Sequence, residues 1–162
     1  MSAAPNLASQ AAPPLVGNVR DAELPWVFVG EGIELKVLRV VRDTGVWVVR
    51  NRFAPGVSIP THKHTGDVHG FTLSGCWHYA EYKVDYPAGT YIYEPAGSIH
   101  TLTVNADNRE PTDVLFVMRG SNLNLGPDGT TIWRVEDGPT TLAFYYAVCE
   151  AQGLPRPRVL EV

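Results

Sequence analysis

The chain has 162 residues, 44% hydrophobic and 19% charged, with a formal charge of −4. That length suits one domain with a single core, so neither metal nor disulfide is needed merely to fold it. The acidic balance, with no run of Lys or Arg, argues against a nucleic-acid or anionic-membrane surface. No stretch approaches the roughly 18 apolar residues of a membrane span. Two cysteines, Cys76 and Cys149, are too few for a secreted disulfide framework, and a cytoplasmic location is expected.

Met1 to Pro14 carry no charge, five Ala and three Pro. Such residues offer little side chain to bury, so residues 1–14 are expected to form a flexible arm ahead of a single domain over 15–162. From Leu24 onward, apolar residues come in short runs broken by turn signals. Ile33 to Val41 ends at Arg42-Asp43-Thr44-Gly45, and Val46 to Phe53 ends at Ala54-Pro55-Gly56. Further runs cover Phe71 to Ser74, Trp77 to Glu81, Thr90 to Glu94, Ile99 to Val104 and Val114 to Met118. Gly and Pro together make 28 of 162 residues, about 17%, which fits the many turns such a chain needs. Six to nine strands at about ten-residue intervals predict an antiparallel sandwich or barrel. One segment differs: after Pro139, Leu142, Tyr145, Tyr146 and Cys149 repeat at three and four until Gly153 and Pro155, which predicts a C-terminal helix of about three turns.

All five histidines fall between His62 and His100. In His62-Lys63-His64 the two imidazoles are two residues apart, so on an extended strand both project to one face while Lys63 points away. One strand face thereby offers two metal ligands. His78 belongs to the Cys76-His78-Ala80 face, opposite Trp77, Tyr79 and Glu81, and is expected at the surface.

Gly56, five residues, His62-x-His64 and then Gly75 resemble the first cupin motif apart from its acidic ligand. Gly89, five residues, Pro95-x-Gly97, two residues and His100 resemble the second. The resemblance spans about Gly56 to Val104 and implies an all-β, jelly-roll-like small barrel holding a divalent metal through His62, His64 and His100. Where the motif has Glu, this chain has Val68 or His69, so His69 is either a fourth ligand, a residue beside the ligands, or an ordinary barrel residue. An all-imidazole shell would leave the ion's charge uncompensated and attract a chelating anion such as an enolate.

The stretches His62 to Phe71 and Tyr93 to Leu102 are similar to the dihydroxyacetophenone dioxygenases and, more distantly, to the acetylacetone-cleaving dioxygenases. That similarity implies non-haem Fe(II), with Zn, Ni or Mn as alternatives, and O2-dependent cleavage of a carbon–carbon bond beside a ketone in a small hydroxyketone or β-diketone. It also points to Glu94, six residues before His100, as the base or a residue beside the ligands; strand parity alone does not prove that it faces inward, which leaves a structural hydrogen-bonding role and exposure open. Phe71, Trp77, Tyr79, Tyr93, Phe116 and Met118 are candidate pocket walls, most of them expected to be plain core. Arg50 is a candidate anion partner or a solvated edge. Two other classes fit such a site: a metal-dependent isomerase or hydrolase, and a metal or small-ligand sensor like the cupin half of zinc-dependent anti-sigma factors. The expected partners are a small-molecule substrate and O2, with no nucleic acid or membrane, and assembly as a homodimer or larger homo-oligomer.

Overall fold

The short apolar runs fold as strands, and they are more numerous than the sequence spacing predicts. The computed structural model describes residues 16–161, so the expected N-terminal arm lies outside the described residues. After a 3-10 turn at Asp21–Glu23 come β1 (Val27–Gly30), β2 (Ile33–Val41), β3 (Val46–Phe53), β4 (His62–His64), β5 (Val68–Ser74), β6 (Cys76–Tyr79) and β7 (Asp85–Pro87). These are followed by β8 (Tyr91–Glu94), β9 (Ile99–His100), β10 (Leu102–Val104), β11 (Thr112–Arg119), β12 (Ser121–Leu125) and β13 (Ile132–Asp137). Helix α1 (Gly138–Ala151) and the short β14 (Leu160–Glu161) close the chain.

The strands form a seven-stranded sheet ordered β1-β2-β3-β11-β5-β8 with β14 alongside β2, a three-stranded sheet β10-β6-β7, and a four-stranded sheet β13-β12-β4-β9. The three ladders do not join into one closed barrel. They wrap one core that includes Trp47, Val49, Phe53, Trp77, Phe116 and Met118.

The strand count exceeds the expectation because single apolar runs are divided between sheets. Ile99 to Val104 breaks at Thr101: β9 pairs with β4, whereas β10 pairs with β6. Thr101 satisfies its own groups at this corner, its N–H donating to Glu81 Oε2 at 3.0 Å and its hydroxyl meeting that of Thr61 at 2.7 Å. The turn between β5 and β6 is the single residue Gly75, with φ +71°. A Cβ there would strike the fully buried Thr112, so glycine is required both by conformation and by space.

Helix α1 begins where Asp137 accepts the Thr140 N–H at 2.8 Å and donates its own N–H to Thr140 Oγ1 at 3.0 Å, with Pro139 in the first turn. This reciprocal cap satisfies donors that the helix cannot. Leu142, Tyr145 and Cys149 are buried, as the spacing of three and four predicts, and the helix packs chiefly on β2 and β1. Each such side chain contributes on the order of 1.5–3 kcal/mol when removed from water. Among the described residues, no helix is long and apolar enough to cross a membrane.

Candidate metal centre

Strand alternation places the two imidazoles of β4 inside and Lys63 outside: His62 and His64 are buried and Lys63 is exposed. The cross-strand partner of His62 on β9 is His100, so the third imidazole meets the first two through backbone register. The three ring centroids lie 4.9–5.0 Å from one another. One ligand atom from each lies within 4.8 Å of the others, and His64 Nε2 is 3.0 Å from His100 Nε2.

His62 Nδ1 is 2.9 Å from the Pro60 carbonyl oxygen. A carbonyl only accepts, so Nδ1 carries the proton and Nε2 keeps its lone pair. Burial pushes the His62 pKa down to about 4, against the opposing hydrogen bond to Pro60. The ring is therefore neutral at pH 7, the form in which imidazole binds a metal.

Glu94 stands beside the histidines although it comes from another sheet. On β8, Ile92 and Glu94 are buried while Tyr91 and Tyr93 are exposed. Glu94 Oε2 lies 2.8 Å from His64 Nε2 and 3.3 Å from His100 Nε2. Both rings are within contact distance of Oε2, which is buried and makes no hydrogen bond of regular geometry. The other oxygen, Oε1, accepts the Tyr79 hydroxyl. Burial alone would raise the Glu94 pKa; the adjacent His100 and His64 rings outweigh it and hold the carboxyl well below the usual range. Burial, reinforced by the Glu94 charge, raises the pKa of Tyr79, which stays a protonated donor. Its ring stacks on His100 at 4.1 Å.

The imidazoles of His62, His64 and His100, with Glu94 Oε2 beside two of them, form a set of side chains suited to a divalent transition metal. The carboxylate missing after His64 in the sequence is thus present nearby in space. It reduces the positive charge a divalent ion would carry here without cancelling it.

A cavity of about 340 Å³ adjoins these groups, and His62, His64, Glu94 and Tyr79 are among its lining. Its walls include Leu35, Trp47, Phe53, Leu102, Phe116 and Met118, and Trp133, Arg134, Glu136 and Phe144 also border it. Tyr79, Phe116 and Met118 are core residues that also line the cavity. Trp77 is wholly buried and packs edge-on against Tyr79.

Four other candidates lie elsewhere. His69 is on the outer face of β5, where Nδ1 meets the Tyr91 hydroxyl at 2.6 Å and Nε2 meets Asp67 Oδ2 at 3.2 Å. It is half-exposed and outside the histidine cluster, because Val68, Gly70 and Thr72 take the inward positions. Phe71 and Tyr93 share that outer side and are exposed. Arg50 is outside the cavity as well: it grips Asp113 with two bonds of 2.7 and 2.8 Å, reaches Asp21 at 2.9 Å, and lies over Trp26. Its charge is committed to the fold. His78 is half-buried beside Asn105, away from the cluster.

Two lining residues escape the sequence reading. Asn122 and Asn124 on β12 are register partners of His64 and His62, so they share the inward face. The period-two pattern Asn122-Leu123-Asn124 is the signal that marks them.

A jelly-roll-like sheet assembly with buried histidines on adjacent strands and a cavity beside them defines a cupin. More narrowly, the chain belongs to the ChrR cupin-like domain family, whose model matches residues 17–122. A cupin-fold protein of unknown function from Ralstonia eutropha JMP134 is 32% identical, with 94% of this chain and 96% of that chain covered and a TM-score of 0.85. An RmlC-like cupin from the same organism is 26% identical over 91% and 95%, with a TM-score of 0.83. An acetylacetone dioxygenase from Acinetobacter johnsonii shares the fold at 16% identity, 86% and 96% coverage and a TM-score of 0.71. No curated protein matches the chain.

Proposed function

We propose that this protein is an Fe(II)-dependent dioxygenase that cleaves the carbon–carbon bond beside a ketone in a small hydroxyketone or β-diketone. The observation that carries the reading is the buried three-histidine cluster with Glu94 beside it, bordering a largely apolar cavity of about 340 Å³. A purely structural metal needs no such space beside it. The sequence similarity around His62 to Phe71 and Tyr93 to Leu102 supports the same reaction class.

His62, His64 and His100 would hold the ion. When bound, it supplies Lewis acidity that lowers the pKa of a chelating ketone and a place for O2 to react. Glu94 is positioned to accept the proton that leaves the substrate's acidic C–H or O–H, its carboxylate being ionised and its Oε2 unoccupied by any donor. Tyr79 fixes the orientation of that carboxylate through Oε1, so the free oxygen stays on the histidine side. The apolar walls exclude water and hold an uncharged skeleton against the base. Both oxygen atoms enter the two carbonyl products, so no added reductant is required.

Anaerobically iron-loaded protein is expected to consume O2 when given a β-diketone or hydroxyacetophenone, and His100→Ala to lose both metal and activity. Stoichiometric zinc in the purified protein, with no iron-dependent O2 uptake across such a panel, would overturn the reading.

A further inference from the structure

The side chain of Asn124 is 6% exposed and lines the cavity, yet its Nδ2 has no hydrogen-bond partner. Its cross-strand partner is His62, and such partners place their Cβ atoms about 4.5–5.5 Å apart on one sheet face. The donor is therefore held at the rim of the histidine cluster by backbone register. Buried amides are normally paired, and one left open beside a cavity marks the position of an absent acceptor. The neighbouring amides are occupied differently: Asn122 Nδ2 contacts Met118 Sδ at 3.8 Å, and Asn51 Nδ2 reaches the Glu34 carbonyl at 3.5 Å.

The charges along the lining narrow the ligand further. Apart from the histidines, the lone cation among the described lining residues is Arg134, and it is paired with Glu136 at 2.9 Å. A carboxylate on the part of a substrate remote from the histidines would be buried among apolar walls with no partner, which is costly.

We infer that Asn124 is a positioning residue whose Nδ2–H donates to a ketone or hydroxyl oxygen of the substrate, and that the substrate is uncharged away from its chelating end. This rests on the dioxygenase reading for the identity of that chelating end. Asn124 fixes which oxygen of the ligand lies beside His62, and the unpaired walls select against anionic tails.

The test is calorimetric binding of 1-phenylbutane-1,3-dione to anaerobic iron-loaded protein, with metal content and Tm measured in parallel. Asn124→Leu and Asn124→Asp are expected to weaken binding about tenfold or more while metal content stays stoichiometric. The Asp variant keeps the side-chain shape should Leu fail to fold. The same diketone carrying a para-carboxylate on its ring is expected to bind wild type at least about tenfold more weakly than the parent. Unchanged affinity in a folded, metal-replete Asn124 variant, or equal affinity for the carboxylated compound, overturns the inference while leaving the dioxygenase reading intact. Asn124-dependent binding without O2 uptake overturns the dioxygenase reading alone. Absence of diketone binding to wild type overturns the inference, and if O2 uptake also fails across the diketone and hydroxyacetophenone panel the dioxygenase reading falls with it.

Discussion

Removing one hydroxyl, in Tyr79→Phe, isolates the polar link beneath the histidines. Tyr79 and Glu94 are 3% and 4% exposed, so water does not replace the lost donor. The ring itself remains stacked on His100 at 4.1 Å and edge-on to Trp77 at 5.0 Å, which leaves packing unchanged. A hydrogen bond to a charged group contributes about 1.5–3 kcal/mol, and an orphaned buried acceptor places this one toward the upper end. For a domain of this size, a loss of that magnitude lowers Tm by roughly 5–10 °C. The assay is urea unfolding of metal-free protein at pH 7 for wild type, Tyr79→Phe, Glu94→Gln and the double variant. A coupling energy above about 1 kcal/mol is expected from the cycle. If Tyr79→Phe lies within about 0.5 kcal/mol of wild type and the cycle shows no coupling, the link does not stabilise the fold and the reasoning fails.

Acid should weaken the metal-free protein in a defined window. His62 is neutral in the folded state down to about pH 4, whereas the unfolded chain takes its proton below 6.5. The stabilisation is complete above 6.5 and is lost as pH falls toward 4, by about 3 kcal/mol in all. Glu94, whose folded pKa is depressed, contributes stability that starts to fade only below its ordinary value of 4.5, so its loss is separated from that of His62, which begins near 6.5. Urea midpoints for wild type and His62→Gln measure it; parallel pH profiles would refute the assignment. His69→Ala, by contrast, should leave metal content and O2 uptake at wild-type levels, because its ring lies on the outer face of β5. Loss of metal in that variant by elemental analysis would contradict the geometry.

The parts of the site legible in the sequence are those governed by strict strand alternation. His62-x-His64 announces a shared face, and Gly75, Pro95 and Gly97 announce the turns around it. Parity was hidden where large apolar residues occupy the outside. On β5, Phe71 and Leu73 are exposed and Val68, Gly70 and Thr72 face inward. The small inward residue leaves room for Phe116: a Cβ on Gly70 would come 3.2 Å from its ring. Hydrophobicity therefore points Phe71 to the wrong face, while His69, raised by its place where the motif has Glu, follows the outer parity of Phe71. β8 presents the same inversion, with Tyr91 and Tyr93 outside and Glu94 within. The helix is plain because an opening Pro139, a regular apolar stripe and a terminal Gly153 agree. β12 was overlooked because its polar residues face a cavity rather than solvent.

The failure of the three ladders to join has a mechanical consequence. The histidines belong to the four-stranded sheet, Glu94 to the edge of the seven-stranded sheet, and Tyr79 to the three-stranded sheet. Where no backbone ladder crosses between sheets, this polar cluster is one fastener at their seam, alongside bonds such as Trp77 Nε1–H to Thr72 Oγ1. An ion drawn to it would tighten all three sheets together. Its removal should be felt as faster amide exchange along β4, β8 and β9 while the central strands β3 and β11 stay closed.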